Sequence, residues 1–376
     1  MRVALVHDYL REYGGAERVL EALHEIWPEA PVYTAYYNPA NLGIHAKKFK
    51  GWDIKTSLIQ KLPFANKLIS PLRIMAPKVF ESFDLSEYDL VISSCNLYFS
   101  KAVITRPETR NLSYIHTPPR YLYGYTTSFN YKKHWWTRMI AETMNHFLRT
   151  IDFETSQRPD TLIANSENVA KRIKKFYRRE SEVIYPPVET AELLKVKKLK
   201  GKYFLTLNRL SRGKGTEIAI AACSKLELPL KVASTGGELS NLKKIAGKSI
   251  EFLGEISEEE KGKLFSEAIA LIACSEDEDF GITVVEAQAA GVPVIAAKAG
   301  GHLETVIPGK TGEFYMPGFL GDFNTYVDPI SVDNLIDVLQ KFRASDYKEE
   351  DLRKNAEKFS KESFKKSILR LTANRD

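Results

Sequence analysis

Short apolar runs rich in Val, Ile and Leu, each leading toward a stretch of helical pattern, most narrowly limit what this chain can fold into. In the first half these runs are Arg2–His7, Leu90–Ser93, Asn111–Ile115, Thr161–Ala164 and Glu182–Tyr185. In the second half they are Tyr203–Leu207, Leu230–Ala233, Ile250–Leu253, Leu271–Ala273 and Val292–Ala296. Helical patterns over Ala16–Ile26, Ser166–Tyr177, Gly215–Lys225 and Glu258–Glu267 separate many of them. The runs are apolar throughout instead of alternating, as expected of strands buried on both faces. Alternating strand and helix therefore predicts an α/β chain with parallel sheets covered by helices on each side. Two helix starts are well marked. Ser166 is placed to cap the helix that follows, and Ser257 precedes Glu258, Glu259 and Glu260, acids in a first turn where the helix dipole favours them.

A chain of 376 residues exceeds one ordinary core and fits two domains of roughly 150–200 residues. Tyr185-Pro186-Pro187-Val188 is the expected hinge, because two prolines continue neither a helix nor a central strand. The expected domains are 1–186 and 187–350, followed by a charged C-terminal helix over 351–376. With 44% hydrophobic and 27% charged residues, the chain reads as globular, not disordered. The apolar start at Val3–Val6 ends at His7 and Asp8, short of the roughly 7–15 residues of a secretory signal. No run approaches the roughly 18 apolar residues of a spanning helix. Cys95, Cys223 and Cys274 are far apart in apolar surroundings and read as reduced core residues. A cytoplasmic location is expected.

The net charge of +6 is unevenly spread, and no nucleic-acid partner is expected. From Lys47 to Lys78, Lys47, Lys48, Lys50, Lys55, Lys61, Lys67, Arg73 and Lys78 face one acid, Asp53. Apolar residues such as Trp52, Leu58, Leu62, Phe64 and Met75 lie among them. The segment is either a solvated basic face or a surface for anionic lipid or an anionic acceptor, each Lys or Arg near such a membrane gaining about 1 kcal/mol.

Four constellations carry chemistry. Val6-His7-Asp8 leads through Gly14-Gly15 into a helix, so a backbone without side chains meets a helix N-terminus, which favours an anion. The pattern is neither a G-x-G-x-x-G nor a Walker A loop, and a plain strand-to-helix turn explains it equally well. Leu207 to Gly215 repeats this design with Arg209 and Lys214 as two fixed cations, or as exposed charges flanking a glycine turn. Ser275 to Ala287 gathers Glu276, Asp277, Glu278 and Asp279 behind an apolar strand and ahead of Gly281 and a helix. Glu286, three residues after Thr283, has capping-box spacing, and Asp277-Glu278-Asp279 fits a permissive D-x-D metal pattern. The fourth is His116, held at a strand end by Pro118 and Pro119, either a satisfied structural histidine or a site residue. No His/Cys/Asp metal set and no G-x-S-x-G elbow occurs.

In this order, and over nearly the whole chain, these segments resemble the retaining GT-B glycosyltransferases of glycosyltransferase family 4. The stretch from Glu278-Asp279-Phe280-Gly281 through Glu286-Ala287 and Gly291-x-Pro293 to Gly300-Gly301 and Gly312 is similar to the family's Glu-x7-Glu signature and its continuation. Arg209 and Lys214 match its Arg-x4-Lys pair, Gly14-Gly15-Ala16-Glu17 its glycine loop, and His116 its sugar-pocket histidine. His116-Thr117-Pro118-Pro119-Arg120-Tyr121-Leu122 looks most like the mannosyltransferases of surface-polysaccharide and O-antigen assembly. Asn208 departs from the pattern, standing where the family has a small residue.

The resemblance implies two Rossmann-like parallel-sheet domains facing across a cleft, with the C-terminal helix crossing back to the first. It implies transfer of a hexose, mannose from GDP-mannose, from a nucleotide-sugar donor to a saccharide or lipid-linked saccharide acceptor in cell-surface glycan synthesis, on the inner face of the membrane. Arg209 and Lys214 would neutralise the departing diphosphate. Glu278 and the backbone amides of Phe280, Gly281 and Ile282 would hold sugar hydroxyls, and Glu286 the ribose. His116 would sit beside the sugar, and Gly14 and Gly15 would admit the phosphates. No cofactor and no metal would be needed. A nucleotide-sugar epimerase or sugar phosphorylase on the same architecture, and a non-catalytic nucleotide-sugar-binding subunit, are the competing readings.

Overall fold

The computed structural model describes residues 1–68, 71–125, 135–318 and 326–373, with the side chains of residues 67, 68, 71, 135–138 and 140 outside that description. The chain divides into two compact units. One takes in Met1–Tyr125, the chain from 135 to Pro187, and Phe364 onward; the other runs from Val188 to Ser363. Each unit is built on its own parallel sheet.

In the first unit the strands are β1 Val3–His7, β2 Val32–Thr34, β3 Ile54–Thr56, β4 Leu90–Cys95, β5 Arg110–Ile115, β6 Thr161–Ala164 and β7 Glu182–Val183. They lie in the order β3-β2-β1-β4-β5-β6-β7, every pairing parallel. In the second unit they are β8 Tyr203–Leu207, β9 Leu230–Ala233, β10 Ile250–Gly254, β11 Ala268–Ala273, β12 Val294–Ala297 and β13 Gly312–Tyr315, in the order β10-β9-β8-β11-β12-β13, again all parallel. Strand order reverses between β1 and β4 and between β8 and β11. The loops leaving the C-terminal ends of such a pair diverge, and that crevice is where open parallel sheets take ligands. Both glycine-containing loops and the acidic loop singled out in the sequence leave these strands.

The central strands are buried along their whole length, as their apolar composition requires: Ala4, Leu5 and Val6 of β1 and Leu205 of β8 are fully enclosed. All three cysteines are free and buried. Burial pushes the Cys95 thiol up to about 11, and those of Cys223 and Cys274 up to about 12, so none is a reactive thiolate.

The C-terminal segment differs from the single helix expected over 351–376, of which residues 374–376 lie outside those described. It forms two helices, Glu349–Glu357 and Lys361–Ala373. The break falls where the Val188 N–H bonds the Phe359 carbonyl at 3.0 Å and Val188 bridges Ser360, which commits that backbone to pairing outside a helix. The first of the two packs on the helix Ile282–Ala289 within the second unit, with Asn355 Nδ2 donating to Gln288 Oε1 at 2.8 Å. The second puts Phe364 and Ile368 into the core of the first unit beside Leu5, Tyr114 and Ile184.

One polar cluster inside the first unit stands out. Lys101 and Asp152 are both fully buried and form an ion pair at 2.5 Å. Asp152, on the helix Trp135–Ser156, also accepts from the hydroxyls of Tyr123 at 2.7 Å and Tyr177 at 3.3 Å. The cluster thus ties that helix to the segments after β4 and β5 and to the end of the helix Glu167–Tyr177.

Candidate functional site

In the second unit, β8 ends at Leu207 and the chain turns through Asn208 to Gly215 into the helix Thr216–Lys225. Gly215 caps that helix at φ +68, and a Cβ there would lie 2.4 Å from the Cys274 carbonyl oxygen, so only glycine lets this turn seat against the end of β11. Asn208 has a visible role: its amide donates to Thr206 Oγ1 at 3.1 Å and accepts from Thr216 Oγ1 at 2.9 Å, pinning the strand end to the helix start. The residue that departs from the family pattern therefore braces the loop bearing Arg209 and Lys214. Arg209 is exposed on that loop and Lys214 half-buried.

The loop after β11 meets Lys214. Its Nζ donates to Glu278 Oε2 at 2.8 Å, and both side chains are mostly enclosed. Two of the acids before Phe280 coexist for separate reasons. Glu278 has the ammonium of Lys214, while burial and the neighbouring Asp277, Asp328 and Glu217 push Glu276 up to about 7. Gly281 sits at φ +96 as the cap of the helix Ile282–Ala289, with the position of a Cβ facing His302 at 3.3 Å and Glu278 Cγ at 3.7 Å. The first N–H groups of a helix have no intrahelical acceptor, so Gly281 and Ile282 present a donor end beside the Glu278–Lys214 pair. Phe280 is buried edge-on to Phe359, ring centroids 5.2 Å apart.

Glu286 is not part of a capping box. The helix starts at Ile282 with Gly281 as its cap, which places Glu286 a full turn inside it. Its buried carboxylate turns instead to Lys261 on the helix Glu258–Glu267, with Nζ to Oε1 at 2.8 Å. Lys261 is itself buried and also reaches Glu258 Oε2 at 2.6 Å. Sequence reasoning missed Lys261 because it follows three glutamates in a well-capped helix and looks like part of a solvated face. The signal was its place one turn after Glu258, on the same side as Leu264 and Phe265. His302, behind Gly281, was also missed; burial holds its imidazole below the usual histidine range, while Glu278 pulls the other way.

In the first unit, Gly14 is extended and precedes the helix Gly15–Ile26. Its N–H donates to Glu17 Oε2 at 2.8 Å, and Glu17 Oε1 lies 3.5 Å from His7 Nε2, so a carboxylate of the chain already serves this helix end. His116 follows β5 with Nε2 2.8 Å from Ser94 Oγ. Burial, aided by His7, lowers its titration to about 3, which keeps the imidazole neutral near pH 7. A neutral ring offers one donor and one acceptor, suited to hydroxyls and not to phosphate. Asp8 accepts the backbone N–H groups of Asn96, Leu97, Tyr98 and Ser100 at 2.6–3.0 Å and so shapes the loop after β4.

The structure thus brings Lys214, Glu278, Gly281 and the head of the helix Ile282–Ala289 together. It places Glu286 against Lys261, and in the other unit Gly14 at a helix start and His116 at a strand end. Among the described residues no group of three or more His, Cys, Asp and Glu side chains is arranged to hold a metal ion.

Comparison with known proteins agrees with this architecture. Residues 191–359 match the family model described as glycosyl transferases group 1. The chain is 29% identical over 225 residues to an alpha-1,3/1,6-mannosyltransferase ALG2 of Dictyostelium discoideum, an alignment covering 46% of this chain and 54% of that protein. It is 25% identical over 350 residues to the Mus musculus protein of the same name, covering 80% of each. Among solved structures, Anabaena HepE with UDP and glucose superposes over 100% of both chains at a TM-score of 0.69 and 18% identity. Sucrose-phosphate synthase from Thermosynechococcus elongatus gives the same TM-score at 17% identity, over 99% of this chain and 98% of that one. These two share the fold.

Proposed function

We propose that this chain is a GT-B glycosyltransferase that moves a hexose, mannose from GDP-mannose, onto a saccharide or lipid-linked saccharide acceptor, a reading supported by the matched family model and the two mannosyltransferase relatives. The observation that carries the reading is the Lys214–Glu278 pair at 2.8 Å, set between two strand-to-helix loops at the sheet's switch point. A sugar leaving a diphosphate builds negative charge on a phosphate oxygen and positive charge at the anomeric carbon. Lys214 and Arg209 supply fixed cations for the former. Glu278 and the donor end at Gly281 and Ile282 hold sugar hydroxyls, Glu286 holds the ribose, and the neutral His116 meets a sugar hydroxyl. Retention follows if the departing phosphate oxygen takes the acceptor's proton on the face it leaves. No metal enters this scheme, because the two cations take its place. The mannosyl assignment rests on the two ALG2 relatives and on the His116–Leu122 segment.

A thermal-shift screen tests the donor. A ligand at about 100 times its Kd stabilises by roughly 2.7 kcal/mol, so GDP-mannose is expected to stand apart from UDP-glucose, and transfer is expected to survive EDTA. Stabilisation by UDP sugars alone would overturn the mannosyl reading, and loss of transfer in EDTA the metal-free one. Epimerised free nucleotide sugar without acceptor would favour the epimerase reading instead.

Lys261 enters as a positioning residue for Glu286. A hydrogen bond to a charged group contributes about 1.5–3 kcal/mol, about ten- to a hundred-fold. Lys261→Met is therefore expected to raise the donor KM at least about ten-fold with kcat little changed, and Glu286→Gln to do the same. An unchanged KM in Lys261→Met alone would remove Lys261 from the site; unchanged KM in both would remove Glu286 too.

The proposal extends to a membrane surface. Among the described residues no helix is long and apolar enough to cross a bilayer. The described residues of the basic segment Lys47–Lys78 hold β3, short 3-10 turns and the short helices Ala65–Leu68 and, at its end, Ala76–Glu81. Lys48 is tied to Glu21 and Lys55 to Asp53, while Lys50, Lys61 and Lys78 are exposed; the Lys67 side chain lies outside those described. Leu58 and Phe64 are 73% and 76% exposed, and Phe64 holds a left-handed backbone at φ +58. A strained, exposed aromatic beside lysines fits shallow insertion into an anionic interface. Flotation with phosphatidylglycerol vesicles at low salt is expected to carry the protein, less so with Phe64→Ser or at 0.5 M salt. A protein left wholly in the soluble fraction would leave the segment a solvated face.

A further inference from the structure

Among the arginines of the first unit that have no role in the scheme above, Arg11 and Arg73 each lie beside a tyrosine ring. Arg11, in the loop after β1, lies 5.2 Å from the Tyr9 ring centroid, and its Nη1 donates to the Asn66 carbonyl at 3.1 Å. Arg73 lies 4.5 Å from the Tyr121 ring centroid. Both are half-buried. Among the described residues neither has a carboxylate at ion-pair distance. Lys48 and Arg158 of this unit, by contrast, do: Lys48 meets Glu21 at 2.9 Å and Arg158 meets Glu81 at 2.6 Å.

The tyrosines concerned follow three neighbouring strands. Tyr9 comes just after β1, Tyr98 after β4 and Tyr121 after β5, all at the C-terminal ends where such a sheet takes ligands. Tyr9 and Tyr98 pack edge to face with centroids 5.7 Å apart. Tyr9 and Tyr98 belong to one packed cluster, against which Tyr121 and Leu72, the neighbour of Arg73, also pack; burial raises the titration of the Tyr9 and Tyr98 phenols, and both guanidiniums pull against that rise. The Tyr98 hydroxyl is buried there with no hydrogen-bond partner among the described residues. The acids nearby are engaged elsewhere and not in ion pairs with the arginines. Asp8 is taken up by its four backbone donors, and Glu12 accepts from the Tyr9 hydroxyl at 3.4 Å.

Two half-buried guanidiniums over tyrosine rings, with no carboxylate at ion-pair distance, suit a ligand that presents a pair of anionic oxygens. Saccharide hydroxyls do not offer that, whereas a phosphate does. We propose that Arg11 and Arg73 form a phosphate-oxygen subsite in the first unit, which takes the phosphate or diphosphate ester that the acceptor carries. It rests on the glycosyltransferase reading, since only a group-transfer enzyme has an acceptor to place. Contact with the Tyr9 and Tyr121 rings fixes the guanidiniums beforehand, so less side-chain freedom is lost when the anion arrives.

Calorimetric titration with inorganic pyrophosphate tests this on the full chain, using wild type, Lys214→Ala and the double variant Arg11→Gln/Arg73→Gln, each checked for a native melting transition. Wild type is expected to show two classes of site. Lys214→Ala should abolish one, and the arginine variant should weaken the other at least about ten-fold. The arginine variant should also raise the KM for a phosphate-linked acceptor while leaving the donor KM unchanged. If no class of site responds to the arginines, the subsite is overturned, whatever Lys214 does. If Lys214→Ala changes nothing, the donor reading fails instead. If the arginine variant loses phosphatidylglycerol vesicle binding but keeps pyrophosphate binding, the arginines belong to a lipid-facing surface and the subsite is again overturned.

Discussion

Transfer by a Lys214→Ala variant is expected to fall by about 10²–10³, the usual loss when one preorganised group that stabilises developing charge is removed. The fall should appear in kcat more than in donor KM, because the charge that Lys214 meets grows as the sugar–phosphate bond breaks. The fold should survive. Lys214 is partly open to solvent, and its pairing with Glu278 at 2.8 Å does not hold up a buried core. On the proposed reading, Glu278 would also lose one of the contacts that orient it toward sugar hydroxyls. Lys214→Arg keeps the charge but changes its shape and reach, and recovery of part of the rate is expected. Near-normal turnover by Lys214→Ala, measured as sugar transferred per enzyme under saturating donor, would remove the clamp from the mechanism.

The second large effect lies away from the chemistry. Asp152→Ala removes the carboxylate that faces fully buried Lys101 and accepts from Tyr123 and Tyr177. Breaking one side of a buried pair costs about 3–5 kcal/mol, because the remaining charge has neither water nor a partner. The first unit's unfolding transition in urea should therefore move to markedly lower denaturant. Replacing both members, Lys101→Met with Asp152→Leu, should be milder, since apolar groups of similar size leave no stranded charge. A shift below about 1 kcal/mol for Asp152→Ala would mean that Lys101 finds another acceptor or water. The same variant separates stability from catalysis, because Asp152 belongs to no proposed donor contact.

What was legible in the sequence follows from burial. Strands such as β1, β4 and β8 are enclosed on both faces, so their apolar runs announced them within a residue or two. β2 and β3 have only three residues each and β13 four. Strands as short as these were read elsewhere, but here polar residues or a glycine interrupt the run, Lys55 and Thr56 in β3 and Gly312 and Glu313 in β13, and these strands went unread. Lys214 and Glu278 were legible because glycines mark their loops. That they touch was not, because the contact joins residues 64 positions apart. Lys261 stayed hidden for the opposite reason: its local pattern is a complete account of a capped, charged helix, and only packing against the helix Ile282–Ala289 turns it inward. The double proline after Tyr185 marked a change of unit, whereas the mark of the break between the two C-terminal helices went unread: Ser360 caps the second, its Oγ accepting from the Ser363 N–H at 3.2 Å.

That break has a consequence for how the protein is made. The helix Lys361–Ala373 supplies Phe364 and Ile368 to a core whose other members lie before residue 188. Enclosing each such side chain contributes about 1.5–3 kcal/mol. A growing chain leaves the ribosome from its N-terminus, so the second unit has all of its sequence in hand before the first receives its last helix. The unit that begins first is therefore completed last. Until then it stands as a nascent fold with an open apolar seam beside β1 and β5, the stage of its life when a chaperone has most to hold.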